Sequence, residues 1–229
     1  MPENAKRFTM AQAFFITGTD TEIGKTHATC ALLATAAQQG LRTIGLKPVA
    51  AGTDASGQND DVVRLMAASN VALPAGTVNP WLLSEPLSPH IAARLAGVEI
   101  TTAPILQSFK SAQSVADFIL VEGVGGLYAP LSDSLTQPDL IQILDIPVIL
   151  VVGLRLGCLN HALLTASAIK QHGLRFAGWI GNQMDPTFQA MDDNIQTLKE
   201  RLEAPCLGIL PFQNTAADAS LASPLSLPQ

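Results

Sequence analysis

The chain has 229 residues, 48% of them hydrophobic and 14% charged, and a formal net charge of −6. That length and apolar content suffice for one well-buried domain and exclude a disordered chain. The acidic balance excludes non-specific nucleic-acid binding, which needs dense Lys and Arg, and no apolar run is long enough to span a bilayer. In chain order, residues 1–12 lack the long apolar stretch of a signal peptide and read as a flexible tail, leaving 13–229 as one domain. An apolar run at 13–17 predicts a strand, followed by a glycine-bounded loop and a helix over 25–39 that Gly40 closes. A second strand is expected at 43–47, then a long polar loop at 50–59, which is the kind of loop that carries function. Helices are expected at 60–68, 89–96 and 102–116, and a third strand at 118–121. A helix at 138–144 precedes the strand at 148–152. A helix at 159–172 ends before Gly173, a strand follows at 176–181, a helix at 186–202 and a last strand at 207–210. The strands are continuous apolar runs and alternate with helices. This predicts an α/β domain with a mostly parallel sheet and helices on both faces, binding ligands beyond the carboxyl ends of its strands. Residues after about 213, rich in Ala, Ser and Pro, are expected to be partly ordered. Cys30, Cys158 and Cys206 are far apart, show no metal-ligand spacing and read as small core residues, which fits a reducing cytoplasm.

The most informative segment is GTDTEIGKT at 18–26. Between a strand and a helix, such a loop points backbone N–H groups at phosphate oxygens. Lys25 can reach the β and γ phosphates, and the Thr26 hydroxyl can ligate Mg²⁺. The loop is one residue longer than the common form, which has four residues between its first glycine and Gly-Lys-Ser/Thr. The other strands also end in polar groups. Lys47 closes the second; it reads equally as a site lysine that neutralises a phosphoryl group and as a strand-end residue reaching solvent. Glu122 closes the third, where P-loop enzymes place a Mg²⁺ ligand, and Gly123, Gly125 and Gly126 after it let the backbone approach a ligand. The alternative is a plain glycine turn with an exposed carboxylate. Asp60 and Asp61 open a helix, where an acidic cap is ordinary, and one of them could complete a metal shell.

The blocks GTDTEIGKT (18–26), KPVAAG (47–52), VNP (78–80), EPLSPH (85–90), VEGVGG (121–126), PLSD (130–133), PVILVVG (147–153), LGCLNH (156–161) and AGW (177–179) occur in this order. Together they resemble the dethiobiotin synthetase family over about residues 13–212. The resemblance implies a P-loop NTPase fold and an ATP- and Mg²⁺-dependent ring closure of 7,8-diaminononanoate with CO₂, through a carbamate that ATP phosphorylates. It implies Lys47 and Lys25 as catalytic residues and Thr26, Asp61 and Glu122 as Mg²⁺ ligands, Asp61 rather than Asp60. Nucleotide contacts are implied for Thr21, Glu22, Ile23, Gly24, Lys25, Thr26 and His27 in the loop and helix start. They are implied also for Asp61, for Glu122, Gly123, Val124 and Gly125, for Asn182 against the adenine, and for Pro211, Phe212 and Gln213, with Asp218 a weaker match. Substrate contacts are implied for Thr19, Ala51, Leu156, Gly157, Cys158 and Asn160. The last four form a helix start that takes the substrate carboxylate in the neighbouring subunit's site, so a homodimer is implied. A simple N-cap is the other reading of Asn160.

Two positions depart from the family pattern. Ala51 stands where a substrate-contacting hydroxyl is common, and Gln183 where an acidic residue is frequent. His27, His90, His161 and His172 read as core or capping residues rather than general bases. A switch ATPase of the partition or septum-positioning type would share the α/β architecture, so the fold alone does not separate it. Such proteins usually carry a second lysine early in the loop, and 18–22 has none; the membrane-targeting members add a basic C-terminal helix, and the stretch after Phe212 has no Lys or Arg. Retention of Lys25, Thr26, Lys47, Asp61 and Glu122 together argues against a catalytically dead nucleotide-binding module.

Overall fold

The computed structural model describes residues 11–212 and 225–228. Strand β1 (Gln12–Gly18) leads through the glycine loop into helix α1 (Lys25–Gln38). Then come β2 (Thr43–Leu46), β3 (Val49–Ala51), α2 (Asp60–Ala68), α3 (Ala75–Val78) and β4 (Trp81–Leu83). α4 (Pro89–Ala96), α5 (Thr102–Gln113), β5 (Phe118–Glu122) and α6 (Gln137–Leu144) follow. β6 (Val148–Leu154), α7 (Cys158–Gln171), β7 (Phe176–Gln183), α8 (Met191–Arg201) and β8 (Cys206–Leu210) complete the order. Six strands form one parallel sheet in the order β2-β5-β1-β6-β7-β8, and β3 pairs with β4 in a separate parallel ribbon.

Neighbouring residues of a strand face opposite sides, so a strand covered on both faces needs an apolar residue at every position. Strand β1 shows this directly. Phe14 and Ile16 join a core with Leu32 and Leu33 of α1 and Leu65 of α2. Phe15 faces a second core with Phe109 of α5, Ile141 of α6, Ile169 of α7 and Leu198 of α8. Helices thus cover both faces of the sheet. Among the described residues, no helix is long and apolar enough to cross a membrane. All three cysteines are free. Burial pushes the Cys30 thiol up to about 12 and raises those of Cys158 and Cys206, so none is poised as a thiolate.

The structure moves several expected boundaries. The stretch 50–59 is not all loop, because Val49–Ala51 pairs with Trp81–Leu83. Segments of three residues are too short to show a period. The expected helix at 186–202 begins only at Met191. Asp185 Oδ1 accepts hydrogen bonds from Thr187 N and Oγ1 and holds a turn, and Ala190 enters the helix at φ 52°. The expected helix at 102–116 ends at Gln113, after which Val115 N bonds Ala112 O in a tighter turn. β5 runs on through Glu122 and β7 through Gln183, so Glu122 and Asn182 sit on strands rather than after them. β2 stops at Leu46, so Lys47 follows the strand instead of closing it. Gln12, expected in the tail, opens β1. Ser226 N donates to Leu207 O, and Leu225 is buried against the α1 side of the core. Residues 1–10, Gln213 and Asp218 lie outside the described residues.

Candidate active site

The carboxyl ends of the parallel strands deliver the site. Gly24, at φ 84°, is the N-cap of α1 and makes no side-chain cap. The first capped donor is Ala28 N, bonded to Gly24 O, so Lys25, Thr26 and His27 present backbone N–H groups with no protein acceptor among the described residues. Three free donors at a helix N-terminus make an anion site. A Cβ on Gly24 would overlap Asn182 Nδ2, so that glycine is required both by its backbone and by its neighbour. Asn182 is buried, and its Nδ2 donates to Ile23 O at 2.9 Å, which ties β7 to the loop. Lys25 Nζ donates to Asp20 O at 3.0 Å, and Glu22 takes φ 57° on the exposed outer bend. Burial, then the charge of Lys47, lowers the Lys25 pKa to about 8. Incoming phosphate would hold it charged.

Behind the loop lies a buried polar cluster. Lys47, 3% exposed, donates to Glu122 Oε1 at 2.6 Å, Asp61 Oδ2 at 2.8 Å and Gly123 O at 3.2 Å. Three donors meet three acceptors, which is what a buried ammonium requires. Burial works to lower the Lys47 pKa, but Glu122 and Asp61 outweigh it and hold it above the usual lysine value. Burial alone would raise the Asp61 carboxyl; the charge of Lys47 and hydrogen bonds from Lys47 and Thr26 hold it below the usual range. Thr26 Oγ1 lies 2.6 Å from Asp61 Oδ1 and 2.8 Å from Glu122 Oε1. Its one proton can serve only one of them at a time. Thr29 Oγ1 reaches Glu122 Oε2 at 2.8 Å. Asp61, not Asp60, faces the cluster; Asp60 pairs loosely with Arg64 at 3.8 Å, and the α2 N-cap is Asn59.

The oxygens of Thr26, Asp61 and Glu122 are hard ligands gathered around one positive charge, and so fit a small divalent cation. Among the described residues no group of three or more His, Cys, Asp or Glu side chains converges. Two carboxylates and a hydroxyl beside a phosphate loop suit Mg²⁺, which keeps waters and takes phosphate oxygens rather than an all-protein cage.

Several supporting residues were given no role by the sequence. Asn79, 6% exposed, donates to Lys47 O at 2.5 Å and Trp81 O at 3.2 Å, and Lys47 N donates to Val78 O at 2.9 Å. The end of α3, which lies between the two ribbon strands in the chain, therefore fixes the Lys47 backbone. Gln183 Oε1 accepts from Phe212 N at 3.2 Å, which seats Pro211 and Phe212 beside Asn182. Arg155 pairs with Asp20 at 2.7 Å across the mouth of the loop. Sequence spacing could not connect these pairs, since each is distant in the chain.

A cleft of about 620 Å³ opens beside the loop, lined by Thr19, Thr21, Gly125, Tyr128, Leu164 and Gln171 among others. Ala51 ends β3 half-buried. Leu156 and Asn160 stand apart. Leu156 is 90% exposed and Asn160 exposed, and among the described residues no hydrogen bond or ion pair joins 156–160 to Lys47 or its carboxylates. Gly157, at φ 94°, is the N-cap of α7. Asn160 is the third helical residue, so the capping reading does not hold. Cys158 is buried and its N–H is taken by Arg155 O at 3.0 Å, which leaves Leu159 and Asn160 as free backbone donors there.

Comparison with known proteins bears on the family and the fold. A sequence-family profile described as an AAA domain matches residues 12–220. The chain is 55% identical over 212 residues to the ATP-dependent dethiobiotin synthetase BioD of Ralstonia nicotianae, covering 91% of this chain and 92% of that one. It is 47% identical over 223 residues to the protein of that name from Aromatoleum aromaticum, covering 96% and 99%. Among solved structures it resembles a ParA family ATPase from Chlorobium tepidum, with TM-score 0.55, 17% identity and 92% and 88% coverage. It also resembles the MinC:MinD cell division complex of Aquifex aeolicus, with TM-score 0.52, 16% identity and 91% and 84% coverage. At such identities the structural likeness shows the P-loop fold and nothing finer.

Proposed function

The chain belongs to the ATP-dependent dethiobiotin synthetase family, and on that premise we propose how its own residues divide the reaction. It is an ATP-dependent ligase of biotin biosynthesis that forms carbon–nitrogen bonds. The reading adopted is closure of 7,8-diaminononanoate with CO₂ to the cyclic urea. One amine is taken up as a carbamate, ATP phosphorylates a carbamate oxygen, and the second amine attacks the carbonyl carbon and expels phosphate. Carbamate oxygen is a poor leaving group until phosphorylated, so positioning and charge neutralisation dominate the catalysis. The observation that carries the assignment is the Lys47 ammonium, buried between Glu122 and Asp61 and behind the free N–H groups of α1.

The free donors of α1 and Lys25 take the triphosphate. Nδ2 of Asn182 is occupied by Ile23 O, so its Oδ1 faces the base as an acceptor, which suits the exocyclic amine of adenine. Pro211 and Phe212 flank it. Thr26, Asp61 and Glu122 would hold Mg²⁺, which would supply positive charge to neutralise the phosphates. Lys47 exchanges its carboxylate partners for the carbamate and the transferring phosphoryl group. The diamine chain lies in the cleft beside Thr19 and Gly125. Its carboxylate goes to the start of α7 in a second subunit, where the exposed Asn160 carboxamide donates to it beside the free N–H groups of Leu159 and Asn160 and the helix dipole. Exposed Leu156, Leu164 and Tyr128 support a homodimer, since apolar groups this open favour a covered surface. We place the dimer in the cytoplasm.

Purified protein given Mg²⁺-ATP, bicarbonate and diaminononanoate is expected to release ADP and phosphate together with dethiobiotin. ADP release that the diamine does not stimulate would overturn the reading. Asn160→Ala tests the anchor. The KM for diaminononanoate is expected to rise about tenfold or more with the KM for ATP nearly unchanged, as loss of a hydrogen bond to a charged group implies. Equal effects on both constants would place Asn160 in the fold rather than at the substrate.

A further inference from the structure

Gln137 is the first residue of α6, 1% exposed, and belongs to none of the motifs. Its helix start is locked. Thr136 and Asp139 form a capping box, with Thr136 N donating to Asp139 Oδ2 at 2.9 Å, and Pro138 fixes the next φ. From that fixed base the Gln137 carboxamide behaves like a peptide unit on an adjacent strand. Oε1 accepts from Val124 N at 2.9 Å, and Nε2 donates to Val124 O at 2.9 Å and to Gly126 O at 2.6 Å. A Cβ on Gly123 would overlap Gln137 Oε1, so the glycine is what admits the glutamine.

Peptide units are planar and trans, so holding one end aims the other in the opposite direction. The unit between Gly123 and Val124 has its N–H on Gln137 and its carbonyl on Lys47 Nζ, 3.2 Å away. The next unit has the Val124 carbonyl on Gln137, which turns the Gly125 N–H the other way. That N–H has no protein acceptor among the described residues, and Gly125 lines the cleft beside the phosphate loop. We propose that Gln137 is a positioning residue of the ring-closure reaction. By clamping Val124 it aims the Gly123 carbonyl at Lys47 and presents the Gly125 N–H to the anionic carbamate or phosphoryl oxygen in the cleft. The inference rests on the ligase reading above. A donor fixed before the reaction stabilises developing charge without reorganising, and one released from its clamp loses that advantage.

Gln137→Met keeps the length of the side chain and removes every hydrogen bond. Its kcat is expected to fall about 30- to 100-fold, the cost of misplacing a reacting group by about an ångström, while the Kd for ADP stays within about twofold. A purely structural role would move both together, or neither. The wild-type protein supplies a test that survives misfolding of the variant. Only two glycines, Gly125 and Gly153, follow a valine in this sequence. Carbonyl-¹³C valine with ¹⁵N glycine therefore isolates their amides, and Val124→Ala, at a half-buried side chain, assigns them by removing the Gly125 signal. The Gly125 amide is expected to shift downfield when ADP, bicarbonate and diaminononanoate are added. A Gly125 amide that does not respond, or a folded Gln137→Met with kcat within about threefold of wild type, overturns the proposal. A wild-type protein that makes no dethiobiotin overturns the ligase reading instead, so the two failures are distinct.

Discussion

Lys47→Met is expected to lower turnover by about a thousandfold or more while leaving Mg²⁺-ADP binding within a few fold. Removal of a single oxyanion donor costs about 10² to 10³ in other enzymes, and here a full charge is lost in a buried site. Methionine fills nearly the same space, so packing is kept and the loss reports charge. The nucleotide keeps the α1 donors and Lys25, neither of which depends on Lys47 for its place. Single-turnover kinetics with bound ATP check the result, because they separate chemistry from binding and release. Retained turnover removes Lys47 from the mechanism.

A second large effect should appear in stability rather than rate. Glu122→Gln leaves the Lys47 ammonium with Asp61 as its one carboxylate partner, in a place where Glu122 itself is fully buried. Breaking a buried pair from one side costs about 3–5 kcal/mol, and the partly exposed Asp61 compensates the remaining charge only in part. For a domain of this size that is a Tm lowered by about 6–20 °C. Lys47→Met combined with Glu122→Gln removes both charges and leaves Asp61 half in solvent. The double variant is therefore expected to be more stable than Glu122→Gln alone while remaining inactive. Thermal melts of the four proteins in a cycle measure the coupling. Additive losses would show that the pair is not energetically joined.

The parts of the site that were legible in the sequence sit where an apolar run breaks. The glycine loop is legible because its chemistry is contiguous; Lys47 and Glu122 stand out as charges ending buried runs, but each also reads as an ordinary strand-end or turn residue until the family blocks are set beside it. Asp61 was separable from Asp60 only by resemblance; the structure distinguishes them by which face of α2 they occupy. What stayed hidden depends on contacts between distant segments. Gln137 meets the glycine turn after β5 at an 11- to 13-residue separation, and Asn79 holds Lys47 from 32 residues away. Polar residues in such roles look like loop residues until the chain is folded. Thr136 and Asp139 did mark a helix start three residues apart, and reading that box would have placed Gln137 at its first turn. The misplaced start of α8 has the opposite origin. Pro186 favours a first helical turn, but the Asp185 side chain had already claimed those residues for a tight turn.

Because Lys47 neutralises Glu122 and Asp61 from within, the protein carries its own counter-ion for the carboxylates proposed to hold the metal. Folding is thereby expected to need neither magnesium nor nucleotide to offset these carboxylates. Chelation would silence such an enzyme without unmaking it.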